Sequence, residues 1–290
     1  MSTSAFAAVA ALLGAVVGSF LNVVIHRLPR GESIVRPGSR CPACGHAIRP
    51  WDNVPVLAWL WLRGRCRRCS ARISARYPLV EALSAALFAA IAWRFGPSLM
   101  APLWMAFGAA LLAAAAIDLD HRVIPDEISL GGLGVGLTLA PAARVLAGST
   151  TAAGAWSQAA AGALLGGGLL WIVGFLHARA CAAQGRRFEH WPGEGEGFPR
   201  PSSLDYWTWF PGMGFGDVKL LAMIGAFLGP AGVVETLVAA SLAGLVFGLA
   251  WAAVRRSFSS PFGFGPMLAL GALLAVLLPG APGWLLGLWR

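Results

Sequence analysis

Residues 100–126 read MAPLWMAFGAALLAAAAIDLDHRVIPD, and this stretch decides the fold. From 100 to 117 it carries no charge; Asp118, Asp120, His121, Arg122 and Asp126 then follow in quick succession. An apolar run of this kind is a candidate membrane span, because about 20 residues at ~1.5 Å each cross a hydrocarbon core ~30 Å thick. A carboxylate in such a segment costs roughly 2.5–3.5 kcal/mol at a helix centre, so acidic residues at its edge are functional candidates.

Working outward, apolar stretches lie at 5 to 25, 79 to 95, 100 to 117, 127 to 147, 158 to 176, 218 to 235, 236 to 254 and 264 to 288. The sixth and seventh are interrupted only by Gly229-Pro230 and Gly232. The composition agrees with a membrane chain. Of 290 residues, 57% are hydrophobic and 12% charged, with a mean hydropathy of +0.68. A soluble domain has about 45–50% apolar and ~25% charged residues. The expected fold is therefore an all-α polytopic membrane protein with about eight transmembrane helices.

The net charge of +9 would suggest nucleic acid in a soluble protein. Here the basic residues gather in loops between apolar stretches, where they set orientation, and no aromatic-interleaved basic module accompanies them. With the N-terminus on the periplasmic side, 19 of the 22 basic residues fall inside. They are the eleven arginines from Arg27 to Arg76, then Arg122, Arg179, Arg186, Arg187, Arg200, Lys219, Arg255 and Arg256. Only Arg94, Arg144 and Arg290 fall outside. The first apolar stretch has no basic residue before it and no small-residue cleavage site after it, so it is expected to be retained as a span. No internal repeat is read, and no feature sets an oligomeric state.

Two inside segments are long. Residues 26–78 are rich in Arg, Pro, Cys and Trp and are expected to form a small cytoplasmic domain. Residues 177–216 contain GEGEGFPRPSS, lack apolar periodicity, and read as a flexible cytoplasmic loop. The expected division is 1–25 as a first transmembrane helix, 26–78 as the small domain, and 79–290 as a seven-helix membrane domain.

The small domain holds Cys41-Pro-Ala-Cys44 and Cys66-Arg-Arg-Cys69. One C-x-x-C turn presents two thiolates to a tetrahedral metal, and a second completes the four-thiolate set that zinc prefers. Gly45 follows the first pair, as a tight knuckle requires. Two disulfides compete with this reading, but a cytoplasmic loop is reducing. A redox C-x-x-C competes too, but lacks a surrounding βαβ pattern. Zinc bound by Cys41, Cys44, Cys66 and Cys69 would be structural, supplying folding energy to a segment short of aliphatic residues. Cys181 stands alone and is given no role.

Among the acidic residues, Asp118 and Asp120 end the third stretch, and Asp217 opens the sixth within Gly214-Phe-Gly-Asp217. Two carboxylates sharing a site do not both ionise easily, and such a pair offers one general base and one general acid. Asp126, after Pro125, equally suits a helix N-terminus, as does Asp217 beside Lys219. Residue chemistry alone leaves Asp118 and Asp120 undecided.

The ordered set of motifs resembles the bacterial type IV prepilin peptidases, GxGD aspartic peptidases that also N-methylate their product. The set comprises Gly18-Ser-Phe-Leu-Asn-Val-Val-Ile-His-Arg-Leu-Pro29, the two C-x-x-C pairs, Asp52-Asn-Val-Pro55 and Arg63-Gly-Arg-Cys66. It continues through Ile73-Ser-Ala-Arg-Tyr-Pro-Leu-Val-Glu81, Asp118-Leu-Asp120 with Ile124-Pro-Asp126, and Gly212-Met-Gly-Phe-Gly-Asp-Val-Lys-Leu220. Phe262-Gly-Phe-Gly-Pro-Met-Leu-Ala-Leu-Gly271 closes it. The resemblance implies Asp118 and Asp217 as the catalytic aspartates. It implies prepilin or pseudopilin N-terminal segments as substrate, cut after a Gly on the cytoplasmic face of the inner membrane. It also implies S-adenosylmethionine as methyl donor, with the cysteine-rich domain tied to methylation; no residue is assigned to that donor.

The chain departs from the family pattern at Pro211, in a longer 177–211 loop bearing Trp191, Trp207 and Trp209, and in an added Phe-Gly in the closing motif. Two other readings compete: a peptidase without methylation, and a transporter with a zinc-ribbon loop. The second expects ionisable residues deep inside spans, which are scarce here.

Overall fold

The computed structural model describes residues 2–188, 197–255 and 263–279. The chain divides into two compact units, Met1–His121 and Arg122–Arg290. Among the described residues there is no β-strand, only isolated two-residue bridges.

The first unit contains α1 (Thr3–Arg27), α2 (Leu57–Trp61), α3 (Arg76–Phe95) and α4 (Met100–His121). Small residues bring α1 and α3 together. A Cβ at Gly14 would stand 2.8 Å from Phe88 Cβ, and one at Gly18 would stand 2.7 Å from Glu81 Cα. This is the small-xxx-small packing that lets membrane helices touch without a hydrophobic driving force between them. Asn22 adds a polar tie, its Nδ2 donating to the carbonyls of Tyr77 at 3.1 Å and Gly18 at 3.3 Å.

The second unit contains α5 (Asp126–Leu146), α6 (Ala152–Ala183), α7 (Asp205–Thr208), α8 (Phe215–Arg255) and α9 (Gly265–Leu277). α6 and α8 meet backbone to backbone, since a Cβ at Gly162 would overlap the Gly225 carbonyl and stand 2.7 Å from Gly229 Cα. Gly271 brings α9 equally close to Thr236 and Ala240 of α8.

Six helices among the described residues are long and apolar enough to cross a membrane, and α9 is shorter. Each expected stretch falls on a helix as far as it is described, the end of the eighth, 280–288, lying outside the described residues; the division differs most in the middle of α8. The sixth and seventh both lie in α8, and the break between them is at Gly229, not at 235/236. Gly229 has φ +72°, and Pro230 after it has no N–H to continue the ladder. A Cβ at Gly225 would lie 2.9 Å from Val233 Cγ2, far closer than the ~12 Å that eight residues span along a straight helix. The chain therefore turns sharply here. Arg144 of α5 donates to the Phe227 carbonyl, satisfying an acceptor that the broken helix leaves over.

The reading of 177–216 as a flexible loop is corrected at 177–183 and 205–208, which are helical; 189–196 lie outside the described residues. α6 has 32 residues, about 48 Å of helix, and continues through 177–183. On this overlong end sits an aromatic stack. Trp171 and Phe175 of α6 stack on Trp207 of α7, with centroids 6.2 and 5.4 Å away. Trp171 Nε1 donates to the Trp207 carbonyl at 2.9 Å, and the Arg179 guanidinium lies 3.9 Å from the Tyr206 ring centre. Trp207 thus has a structural task. Trp209 is 40% exposed beside it, and Trp191 lies outside the described residues.

Candidate active site and metal centre

Asp118 lies in the last turn of α4 and is 5% exposed. Two residues on, Asp120 is an exposed residue and pairs with Arg76, the first residue of α3. The other end of the Arg76 fork donates to the Ala116 carbonyl at 3.0 Å, so one guanidinium fastens the end of α4 to the start of α3. The two aspartates are thereby separated by environment: one is inside the protein, the other is committed to a surface ion pair.

Asp217 lies in the first turn of α8 and is 7% exposed. Its N–H donates to the Gly214 carbonyl at 3.1 Å. Gly216 lets the turn approach the Ile124-Pro-Asp126 segment, where a Cβ at 216 would stand 3.1 Å from Ile124 Cβ. Two residues after Asp217, Lys219 pairs with Asp126 at the head of α5. Gly212, at φ +77°, makes the preceding turn, and Phe210 beside it is buried against Gly174 of α6. The second unit thus assembles two separate motifs of the sequence, residues 124–126 and 212–219, around one buried carboxyl group. Asp118 belongs to the first unit and Asp217 to the second.

The four cysteines converge. Their sulfurs all lie within 4.8 Å of one another, with Cys41 and Cys69 at 3.8 Å. A tetrahedron with metal–sulfur bonds of about 2.3 Å has edges near 3.8 Å, so the geometry fits zinc. All four are free thiols.

Each pair sits on the same backbone knuckle. Cys41 N–H donates to the His46 carbonyl and Cys66 N–H to the Ala71 carbonyl, at 2.9 and 2.8 Å. Gly45 closes on the Cys41 carbonyl and Ser70 on that of Cys66, both at 2.9 Å. Arg40 bridges to Ala47, and Arg65 to Arg72. Every bond recurs at a constant offset, so Arg40-Cys-x-x-Cys-x-x-x-Ile48 and Arg65-Cys-x-x-Cys-x-x-x-Ile73 are a repeat. The expectation of no internal repeat is corrected. The sequence signal was a nine-residue pattern, short enough to pass for two unrelated motifs.

The electrostatics also ask for a cation. N–H groups of Cys69 and Arg68 pull the Cys66 thiol down to about 6. Cys69 accepts from the Ala71 N–H, which favours its thiolate, yet desolvation and the neighbouring thiols push it up to about 11. One thiolate forms readily in this cluster and the next resists, which is the conflict a bound dication removes. Around the knuckles, Arg67 grips Asp52 through contacts of 2.7, 2.9 and 3.0 Å, holding that carboxyl below its ordinary value. Trp59 Nε1 donates to the Ile73 carbonyl at 3.1 Å. Glu81, buried in α3, accepts from the Val56 N–H at 2.6 Å, which gives it a structural task.

Residues 12–95 match the bacterial peptidase A24 N-terminal domain, and residues 105–249 match the type IV leader peptidase family. The chain belongs to the type IV leader peptidase family. It is 35% identical to a prepilin leader peptidase/N-methyltransferase of Pseudomonas putida, over 96% of this chain and 92% of that one. It is 37% identical to the protein of the same name from Burkholderia pseudomallei strain 1026b, over 96% of this chain and 87% of that one. A third, from Pseudomonas aeruginosa, is 34% identical over 94% of this chain and 90% of its own. No solved structure matches. Sequence reasoning quoted Arg76 and Ile124 within motifs but gave neither a role; the structure makes Arg76 the partner of Asp120 and packs Ile124 against the turn that bears Asp217. Motif membership alone does not say which partner an arginine or an isoleucine meets.

Proposed function

We propose that this chain removes the leader peptide of type IV prepilins or pseudopilins and then methylates the new N-terminus. The single observation that carries this is the likeness to prepilin leader peptidase/N-methyltransferases over nearly the whole of both chains. Cleavage falls after a Gly at the cytoplasmic face of the inner membrane, in keeping with the placement of 19 of 22 basic residues on one side.

The catalytic residues in this reading are Asp118 and Asp217. One carboxylate takes a proton from a water as it attacks the scissile carbonyl, and the other, protonated, gives its proton to the departing amide nitrogen. Proton transfers of this kind are worth about 10²–10⁴ in rate. Burial supports the assignment: both groups are withdrawn from bulk water, while Asp120 and Asp126 are occupied by Arg76 and Lys219. Gly214, where an added Cβ would meet nothing closer than 3.8 Å, leaves the backbone before Asp217 open to an extended substrate segment, while Gly216 is taken up by the close approach to Ile124.

Cys41, Cys44, Cys66 and Cys69 hold zinc as a structural centre, with no open coordination position for chemistry. S-adenosylmethionine supplies the methyl group when bound. The described residues form helices and knuckles without a strand–loop–helix cradle, so no residue is assigned to it and no step is derived through it.

The test is cleavage of a synthetic prepilin by the purified chain in detergent, with and without S-adenosylmethionine, followed by mass spectrometry of the product. The expected result is cut peptide in both samples and one added methyl group only with the donor. Cut but unmethylated product in both would leave a peptidase alone, and uncut peptide would overturn the whole reading.

A further inference from the structure

Beyond the spans, the first unit exposes one apolar helix face. α2 reads Leu57-Ala-Trp-Leu-Trp61, with Leu57 54% exposed, Leu60 56% and Trp61 51%. These are positions i, i+3 and i+4, so they form one stripe. The opposite side is occupied: Ala58 is buried, and Trp59 lies over Gly64 while donating to the Ile73 carbonyl. In a soluble domain with so small a core, a stripe of two leucines and a tryptophan would be a liability.

The position of α2 says what covers it. Val56, the residue before α2, is bonded to Glu81, and Glu81 packs on Gly18 of α1. Glu81 is five residues into α3, and Gly18 is nine residues short of the end of α1 at Arg27. At 1.5 Å per residue these depths are about 8 Å and ~13 Å below the polar ends of the two spans. α2 therefore begins beneath the level of the basic residues that close α1, in the zone where headgroups meet acyl chains. Beyond its C-terminal end stand Arg63 and Arg65, both exposed. A short helix with leucine and tryptophan on one face and arginines beside it has the chemistry of an interfacial membrane element.

We propose that α2 lies in the bilayer interface, with Leu57, Leu60 and Trp61 set among the acyl chains and Arg63 and Arg65 on lipid phosphates. The zinc domain is then pinned to the membrane at a third point besides α1 and α3. Ile73 N–H donates to the Gly64 carbonyl at 2.7 Å, so the second knuckle, which zinc would order, also forms the seat of Trp59.

The test places a photoreactive residue on the stripe of the full chain in phospholipid nanodiscs, as Leu60→p-benzoylphenylalanine and, separately, Trp61→p-benzoylphenylalanine. Val35, 75% exposed on the loop before the first knuckle, is the reference position. Bound zinc reports that each variant is folded. After irradiation, adducts are read by mass spectrometry. Phospholipid adducts at 60 and 61 in at least tenfold excess over position 35 are expected. A protein adduct at both, within the chain or to another molecule, would overturn the proposal by giving the stripe a different occupant. Folded variants with no more lipid adduct than position 35 would overturn it equally, by placing α2 in water.

Discussion

The end of α4 and the start of α8 carry the same device in mirror form. At each, one aspartate is buried and a second, nearby, is exposed and tied to a base: Asp118 with Asp120–Arg76, and Asp217 with Asp126–Lys219. At α4 the tied residue follows the buried one along the same helix. At α8 it comes from another helix, far earlier in sequence. The difference teaches that the exposed carboxylates serve to fasten helix ends, and that two unrelated local sequences reach this arrangement independently. The four carboxylates thus divide into two buried ones, the proposed reagents, and two exposed ones that fasten helix ends.

The sharpest way to break this division is to neutralise each buried member. Asp118→Asn and Asp217→Asn remove the proposed proton-transfer groups while keeping size, and each should lower the rate of leader cleavage by about 10³-fold or more. Both variants should remain inserted, because an amide costs less than a carboxylate at that depth. Activity within a few-fold of the parent in either would show that burial does not mark the reagent.

The next largest effect separates the scaffold from both clusters. Cys44→Ser should abolish stoichiometric zinc binding, and residues 28–75 should become sensitive to protease, since metal binding and folding are one process in such a domain. Acid should act alike: protons compete with zinc for the thiolates, and below about 6 the Cys66 thiol joins that competition, so zinc affinity falls more steeply with each further step of acid. Metal analysis across a pH series checks both. Retained zinc in Cys44→Ser would require a ligand from elsewhere.

A smaller loss is expected at Gly216. Its Cβ in Gly216→Ala would press on Ile124 at 3.1 Å, so the turn bearing Asp217 must shift by a few tenths of an ångström. Since a 1 Å misplacement costs about 10²-fold, a loss of roughly tenfold in cleavage rate is expected, with unchanged zinc content. Recovery by Ile124→Gly in the double variant, which removes the Cβ itself, would tie the loss to that contact.

Much of this was legible in the sequence, for physical reasons. Hydropathy needs only composition over a window, so among the described residues every apolar stretch falls on a helix. The C-x-x-C pairs are local, and their ligands converge. What stayed hidden depends on partners far along the chain. Residue chemistry alone did not separate Asp118 from Asp120, because the decision lies with Arg76, 44 positions earlier than Asp120. The turn in α8 was blurred because flanking apolar residues outweigh one Gly-Pro step in an average. The ordering of 205–208 was missed because an aromatic stack on α6 has no periodicity of its own.

The finest test of the comparison is to release the fastenings. Asp120→Asn and Asp126→Asn each remove the charge from an exposed or half-exposed ion pair, the aspartate side chains being 34% and 58% accessible. Such pairs are worth about 0–1 kcal/mol after screening by solvent and salt. Each variant should therefore keep cleavage within about five-fold of the parent. The two should not be equivalent. Arg76 retains its bond to the Ala116 carbonyl when Asp120 loses its charge, whereas no second bond from Lys219 to α5 replaces Asp126 among the described contacts. Asp126→Asn should thus cost more than Asp120→Asn, and added salt should narrow the gap between parent and variant in both cases. A loss in Asp120→Asn as deep as in Asp118→Asn would exchange their roles and dissolve the symmetry between the two helix ends.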